Sequence, residues 1–288
     1  MTGAIAWYLI DSHDPDAPSS SWPVLQLAAV SDAQCEIIVG ENVLVSTQQT
    51  PNAFWECVSA ADPLDPDQLY AAAIHRRNPE CDIIVFVSSD GGASWEIGAT
   101  LRCPNERQFF DPALAAAPNG IAYLVHMDTS IKAARSDSKI VFFATADGGR
   151  TWGKENAFDQ FVDRPWLAVD NRSEQHRGAV YCLGQIEPLT PAGEIDHSEP
   201  IFLRSNDGFF SLSDPVYPHD GREMVNCGPG NPVVLSDGSV LVAYDDRYLK
   251  RKIREWPRPA IYTAISTDGG KSFATATPVN TKWWHDDL

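Results

Sequence analysis

Positive charge is scarce in this chain of 288 residues: 22 lysines and arginines stand against 39 aspartates and glutamates, a formal net charge of −17. Such a balance argues against nucleic acid and anionic membrane surfaces as partners, because both would repel it. No run of about 18 apolar residues occurs, so no helical span and no membrane insertion are expected. Met1 to Ile10 has no basic stretch ahead of its short apolar segment and does not read as a signal peptide. The six cysteines are too few for a disulfide scaffold and lack metal-ligand spacing. Cys35 with Cys57, and Cys81 with Cys103, could pair across neighbouring strands in an oxidising compartment or stay as buried thiols. His75, His126, His176, His197, His219 and His285 are scattered, with no H-x-x-x-H spacing, so no metal site is expected. A G-x-S-x-G turn, a P-loop and a dinucleotide glycine motif are all missing; those classes are set aside, and no cofactor is expected. No stretch carries a convincing amphipathic helix period.

What the chain does have is a repeat. Ser88-Ser89-Asp90-Gly91-Gly92-Ala93-Ser94-Trp95 returns as Thr145-Ala146-Asp147-Gly148-Gly149-Arg150-Thr151-Trp152 and as Ser266-Thr267-Asp268-Gly269-Gly270-Lys271-Ser272-Phe273. An eroded copy runs from Ser205 through Asp207 to Leu212, so that Asp90, Asp147, Asp207 and Asp268 follow one another at nearly even intervals. Asp-Gly-Gly between β-rich runs makes a tight hairpin turn in which glycine takes the positive-φ positions and the carboxylate accepts backbone N–H groups. The Ser or Thr two residues before the aspartate and four after it can close the same network, and the terminal aromatic can pack beneath it. A near-constant period of this size implies supersecondary units, none able to bury its apolar face alone.

The pattern resembles the Asp-box, S-x-D-x-G-x-T-W, of sialidases and related β-propellers. The resemblance implies an all-β fold, a β-propeller of four-stranded antiparallel blades, six in the family. It makes Asp90, Gly92, Trp95, Asp147, Gly149, Trp152, Asp207, Asp268, Gly270 and Phe273 structural box residues on the outer rim, away from any active site. It further implies an extracellular or periplasmic setting. Four complete units are visible, at about 53–103, 110–160, 164–217 and 230–280, within a propeller spanning 22–288 after an irregular lead-in over 1–21. Three short β-like runs at 22–30, 35–39 and 43–47 could form an incomplete blade. Trp283 and Trp284, with nothing after them to cover them, favour a chain that continues.

In a propeller the loops leading into each innermost strand, and those between second and third strands, converge on one face. The segments 103–112, 158–165 and 216–232 lead inward. Two share a form, Phe109-Phe110-Asp111-Pro112 and Phe161-Val162-Asp163-Arg164-Pro165, which would put Asp111 and Asp163 at equivalent spots. Paired carboxylates are what glycoside hydrolysis requires; equally, each aspartate could simply cap a turn beside its proline. The loops 126–138, 184–200 and 245–259 are longer and charged, the last being a basic island suited either to an acidic sugar or to nearby acids. Arg222 and Glu223 stand at the mouth of a Gly-Pro-rich stretch that is similar to sialidase sequences.

Two readings are open. One is a sialidase-like exo-glycoside hydrolase acting on a glycan, with Asp111, Asp163 and Glu223 as catalytic carboxylates and Arg164, Arg222, Arg247, Asp246 and His126 holding the substrate. The other is a non-catalytic propeller that binds glycan or protein through a flatter aromatic face, for example Trp55, Trp166 and Trp256. Sialidases resemble one another in an early Arg-Ile-Pro motif, which this chain lacks.

Overall fold

The computed structural model describes residues 42–46, 53–132, 134–191, 195–219, 227–246 and 261–279. The chain divides into two compact units, 1–42 and 43–288. Apart from Asn42, every described residue belongs to the second. The β-like runs expected at 22–30 and 35–39 lie outside the described residues; of the run expected at 43–47, residues 43–46 are described and hold a turn at Val45–Ser46.

No helix occurs among the described residues, and the strands fall into four antiparallel sheets in chain order. The first runs β1 (Phe54–Ala61), β2 (Leu69–Arg76), β3 (Cys81–Ser88) and β4 (Glu96–Leu101). The second runs β5 (Arg107–Ala117), β6 (Ile121–Ser130), β7 (Ala134–Thr145) and β8 (Gly153–Phe158). The third has β9 (Val162–Val169), β10 (Val180–Ile186) and β11 (Glu199–Ser205). The fourth has β12 (Cys227–Pro229), β14 (Val240–Asp246), β15 (Ile261–Ser266) and β16 (Thr277–Pro278), with β13 (Val233–Val234) also on β14. Sheets two and three begin a little ahead of the repeat spacing, at Arg107 and Val162, because each inner strand runs on through its proline instead of starting after it. The closing strand expected in the third unit shrinks to one bridge, Phe202 with Val216, since Pro215 and Pro218 on either side have no N–H to give to a ladder.

The third strand of the first sheet, Cys-Asp-Ile-Ile-Val-Phe-Val-Ser, is buried at every position. Its apolar, β-branched run is that of a strand covered on both faces. Consecutive sheets cover one another. Ile74, Val85 and Val87 of the first meet Leu114 and Leu124 of the second. Val125, Ile140 and Phe142 of the second meet Leu167, Val180 and Leu203 of the third. Tyr181, Leu183 and Phe202 of the third meet Val242, Tyr244 and Ala264 of the fourth. Each such aliphatic side chain contributes about 1.5–3 kcal/mol on burial. The inner strand β5 reads Ala113-Leu114-Ala115-Ala116-Ala117, small residues where β1, β5 and β9 crowd together.

The repeated turns close the end of each third strand. Ser88 Oγ donates to Asp90 Oδ1 at 2.8 Å and accepts the Gly92 N–H at 2.9 Å; Asp90 accepts the Ser94 N–H at 2.9 Å and its hydroxyl at 2.6 Å. The same four bonds recur around Asp147 and Asp268. The copy at Asp207, expected to be eroded, has all four as well. Only its aromatic has moved. Phe209 occupies the place of the second glycine at φ 76°, fully buried, stacked on Phe142 at 4.2 Å and edge-on to Tyr123 at 5.6 Å. Trp152 and Phe273 do the same work from the usual position, edge-on to Tyr70 and Phe202. Trp95 and Trp152 also donate their indole N–H to the Gly92 and Gly149 carbonyls.

Gly149 combines φ 86° with a site where an added Cβ would stand 2.4 Å from Val87 Cγ1 of the neighbouring sheet. Gly178, at φ 87°, has nothing within 4 Å. Gly149→Ala is therefore expected to cost about 1–3 kcal/mol more than Gly178→Ala, whose penalty is backbone strain alone; urea unfolding of both variants measures the difference.

Bonds from Ser94 and Thr151 hold the Asp90 and Asp147 carboxyls down to about 2, against an ordinary 3.8; in Asp268, Ser272 and Ser266 overcome a desolvation penalty to the same end. A depressed native pKa gives stability that is present above the unfolded value and lost on acidification. Unfolding free energy is thus expected to fall between about pH 4 and pH 2, with a shallower slope in Asp147→Asn, read from denaturant melts across that range.

Candidate functional site

The inner strands β1, β5 and β9 share an irregularity. In each, two residues oppose one on the neighbouring strand: Glu56-Cys57 opposite Ala73, Asp111-Pro112 opposite His126, and Arg164-Pro165 opposite Gly184. The first residue of each bulge is left-handed, Glu56, Asp111 and Arg164 all at φ 49°. That conformation normally selects glycine, and holding another residue there costs on the order of 1 kcal/mol. What the side chains do in return is visible for two of the three. Glu56 Oε2 accepts the Asp111 N–H at 3.0 Å, and Asp111 Oδ2 accepts the Arg164 N–H at 3.1 Å. Each carboxylate thereby fixes the bulge of the next sheet.

The equivalence expected from the Asp-Pro and Asp-Arg-Pro motifs is therefore shifted by one residue: the counterpart of Asp111 is Arg164, and Asp163 corresponds to Phe110. These residues also lie within strands and not in the loops ahead of them. The Asp111 carboxyl nevertheless lies in hydrogen-bonding contact with both Glu56 and Asp163. Burial, assisted by the negative charge of Glu56, pushes it above the ordinary aspartate value, against the pull of the Arg164 N–H. Glu56 was not among the sequence candidates, although it precedes Asp111 by nearly the interval that separates Asp111 from Arg164 and so stands in phase with the repeat.

Asp163 is the register partner of Gln185, whose amide donates to buried Glu187 at 2.6 Å. The Arg164 side chain is exposed, and no ion pair to it occurs among the described residues. This polar group sits at the end of the sheets where β2 turns into β3 and β6 into β7, opposite the end that carries the repeated aspartate turns.

His126, expected to hold substrate, is an interior residue: 1 % exposed, between Phe109 at 4.2 Å and Phe143 at 5.5 Å, with Nδ1 3.1 Å from the Met127 carbonyl. Packed in this way it does not face a ligand. Glu223, Arg222 and Arg247 lie outside the described residues; Asp246 has its backbone in β14 opposite Cys227, and its side chain is outside them too. Other loop charges are committed elsewhere. Arg107 engages Asp128 and Asp137, and Lys132 engages Glu106. Asp82 is fully buried under a two-pronged Arg77 contact at 2.7 and 2.9 Å, Arg102 at 2.8 Å and the Cys103 N–H at 3.0 Å. These oxygens are already saturated, which marks Asp82 as structural. Cys81 and Cys103 are buried free thiols and Cys57 an exposed one, while Cys35 lies outside the described residues. A cavity of about 180 Å³ between the turns at Asp90 and Asp147, lined by Gln68, Ser94, Trp95 and Arg150, is remote from the carboxylates.

No protein-family model matches the chain, and no curated protein sequence is significantly similar to it. Solved structures are similar in fold. A leech intramolecular trans-sialidase is 10 % identical at a TM-score of 0.57, over 85 % of this chain and 54 % of that one. An intramolecular trans-sialidase from Ruminococcus gnavus is 11 % identical at 0.52, over 79 % and 71 %. A GH93 α-L-arabinofuranosidase of Fusarium graminearum, in complex with arabinobiose, is 14 % identical at 0.50, over 76 % and 64 %. This chain thus spans about half the length of the leech enzyme. The likeness, with the sheet order above, defines an all-β protein of the propeller class, its antiparallel blades following one another in chain order.

With a raised pKa, Asp111 contributes stability below its unfolded value near 3.8 that is lost as pH rises through the native one. Asp111→Asn keeps a side-chain oxygen for the Arg164 N–H and removes the ionisation. Its stability relative to wild type is expected to improve as pH rises above 4, measured by chemical denaturation from pH 4 to 8.

Proposed function

We propose that this propeller is a glycan-active protein, an exo-acting glycoside hydrolase of the sialidase-like kind, and that its repeated aspartate turns are Asp-boxes. The observation that carries the reading is the Asp111 carboxyl, its pKa raised by burial and by the charge of Glu56, in contact with Glu56 and Asp163 at the end of the blades opposite the repeated turns. A carboxyl with a raised pKa holds its proton to higher pH than a free aspartate, the direction that a general acid toward a leaving glycosidic oxygen requires. Asp163 is the partner carboxylate within reach, and Arg164 supplies donors for substrate oxygens. In a retaining pair the two carboxyls stand about 5–5.5 Å apart across the bond that breaks. Asp111 and Asp163 stand closer than that, in hydrogen-bonding contact, and share a proton between them. The neighbours support the substrate class, since the trans-sialidases and the arabinofuranosidase all take sugars or their mimics.

The alternative is a binding propeller without chemistry. It is favoured by one observation: Glu56 and Asp111 already serve as acceptors for backbone N–H groups, a structural use that needs no substrate.

A panel of fluorogenic glycosides, including a sialoside, uronides and an α-L-arabinofuranoside, decides between the two. Turnover of one member, reduced about 10²–10⁴-fold in Asp111→Asn and in Asp163→Asn with binding retained, is the expected result. Silence across the panel from folded protein that still binds a sugar establishes the binding module.

A further inference from the structure

The row of stitched bulges ends at the third blade. Glu56 fixes Asp111 and Asp111 fixes Arg164, but a guanidinium has no acceptor with which to fix a fourth. The inner strand of the fourth blade is correspondingly different. It is split into β12 and β13, and no residue with positive φ occurs among its described positions. The third blade departs from its predecessors at the flanking positions too. Before the bulge, blades one and two carry Trp55 and Phe110 where blade three carries Asp163. After it, they carry Val58 and Ala113 where blade three carries Trp166.

Trp166 is the register partner of Leu183, whose side chain packs with Val242 and Tyr244 of the fourth blade. The indole therefore stands at the seam between blades three and four. It is 36 % exposed, and no ring contact to it occurs among the described residues. At the first seam the open tryptophan, Trp55, precedes its bulge and has its ring already occupied by Arg76 at 5.1 Å, whereas Trp166 follows its bulge and has no such cover among the described residues. In blades one and two the position of Trp166 is aliphatic and covered, or partly covered, by the adjoining blade.

From this arrangement, and resting on the glycan-active reading above, we infer that Trp166 is the stacking platform of a sugar subsite at the seam between blades three and four, and that the sugar it takes is neutral. One face of a furanose or pyranose ring presents C–H groups that pack on an indole face, and the ring hydroxyls reach outward to hydrogen-bonding groups. Arg164 donates to those hydroxyls and Asp163 accepts from them. A sugar carboxylate held at the same place would add a further acid to the Glu56, Asp111 and Asp163 cluster, with a single guanidinium to offset it, which disfavours an acidic ring.

The test is calorimetric titration with arabinobiose as the neutral probe and 3′-sialyllactose as the acidic one. Wild type, Trp166→Ala, Trp166→Leu, Trp166→Phe and the rim control Phe210→Ala are compared, each first checked for a cooperative thermal transition. Wild type is expected to bind arabinobiose more tightly than 3′-sialyllactose. Loss of the ring in Trp166→Ala and Trp166→Leu weakens arabinobiose by about tenfold or more, Trp166→Phe retains most of the affinity, and Phe210→Ala retains all of it. Trp166→Leu preserves apolar bulk, so a folded Leu variant decides the question should the alanine variant not fold. Undiminished arabinobiose binding by folded Trp166→Leu overturns the platform and leaves the glycan reading standing. Tighter binding of 3′-sialyllactose overturns the neutral assignment, and failure of wild type to bind either sugar or to turn over any glycoside overturns both readings together.

Discussion

A β-sheet that is apolar on both faces has no stable existence in water, and that constraint organises the molecule. The second and third sheets each offer one face to the sheet before and the other to the sheet after, so the described cores are the seams between sheets and not the interior of any one of them. The first seam is built on Ile74 and Leu124, the second on Phe142 and Leu167, the third on Leu183 and Tyr244. Every other device in the structure holds consecutive sheets at the spacing these seams require.

Two such devices act at opposite ends of the blades. At one end a buried or half-buried hydroxyl and an aspartate lock each hairpin turn, and an aromatic ring from the turn braces the preceding sheet. The third copy shows which part of this is essential. It keeps the Ser205, Asp207 and Ser211 network unchanged and relocates its aromatic to Phe209, accepting a left-handed backbone for a buried ring. At the other end, the bulge carboxylates bind the next bulge directly. Both devices satisfy backbone N–H groups that irregular turns leave without ladder partners.

The second device also concentrates charge. Glu56, Asp111 and Asp163 come together because stitching one inner strand to the next brings consecutive bulges to a common level, and burial, assisted by the charge of Glu56, raises Asp111. A structural requirement and a raised carboxyl pKa thus have one origin. The same arrangement explains why the seam beyond Arg164 differs: the series passes from acceptors to a donor, and the inner strand of the next blade is broken in two.

Much of the fold was legible in the sequence, because it depends on local chemistry repeated in phase. Asp-Gly-Gly flanked by hydroxyl residues defines its own turn whatever surrounds it, and four evenly spaced copies define repeated sheets. The candidate site was legible only in part. Asp111, Asp163 and Arg164 were visible as charges beside prolines, but which of them occupy matching positions depends on the register of each bulge against the neighbouring strand. That register placed Arg164 in the role expected of Asp163, and it drew in Glu56. His126 illustrates the same limit: polarity suggested a ligand contact, whereas the packing of Phe109 and Phe143 made it interior. The sequence alone determined the turns, the strands and the repeat, all set by short-range sterics and hydrogen bonding. Only the tertiary structure decided which carboxylates meet, which has its pKa raised and which tryptophan stays open, because those properties arise between blades, from burial and from charges far apart in the chain.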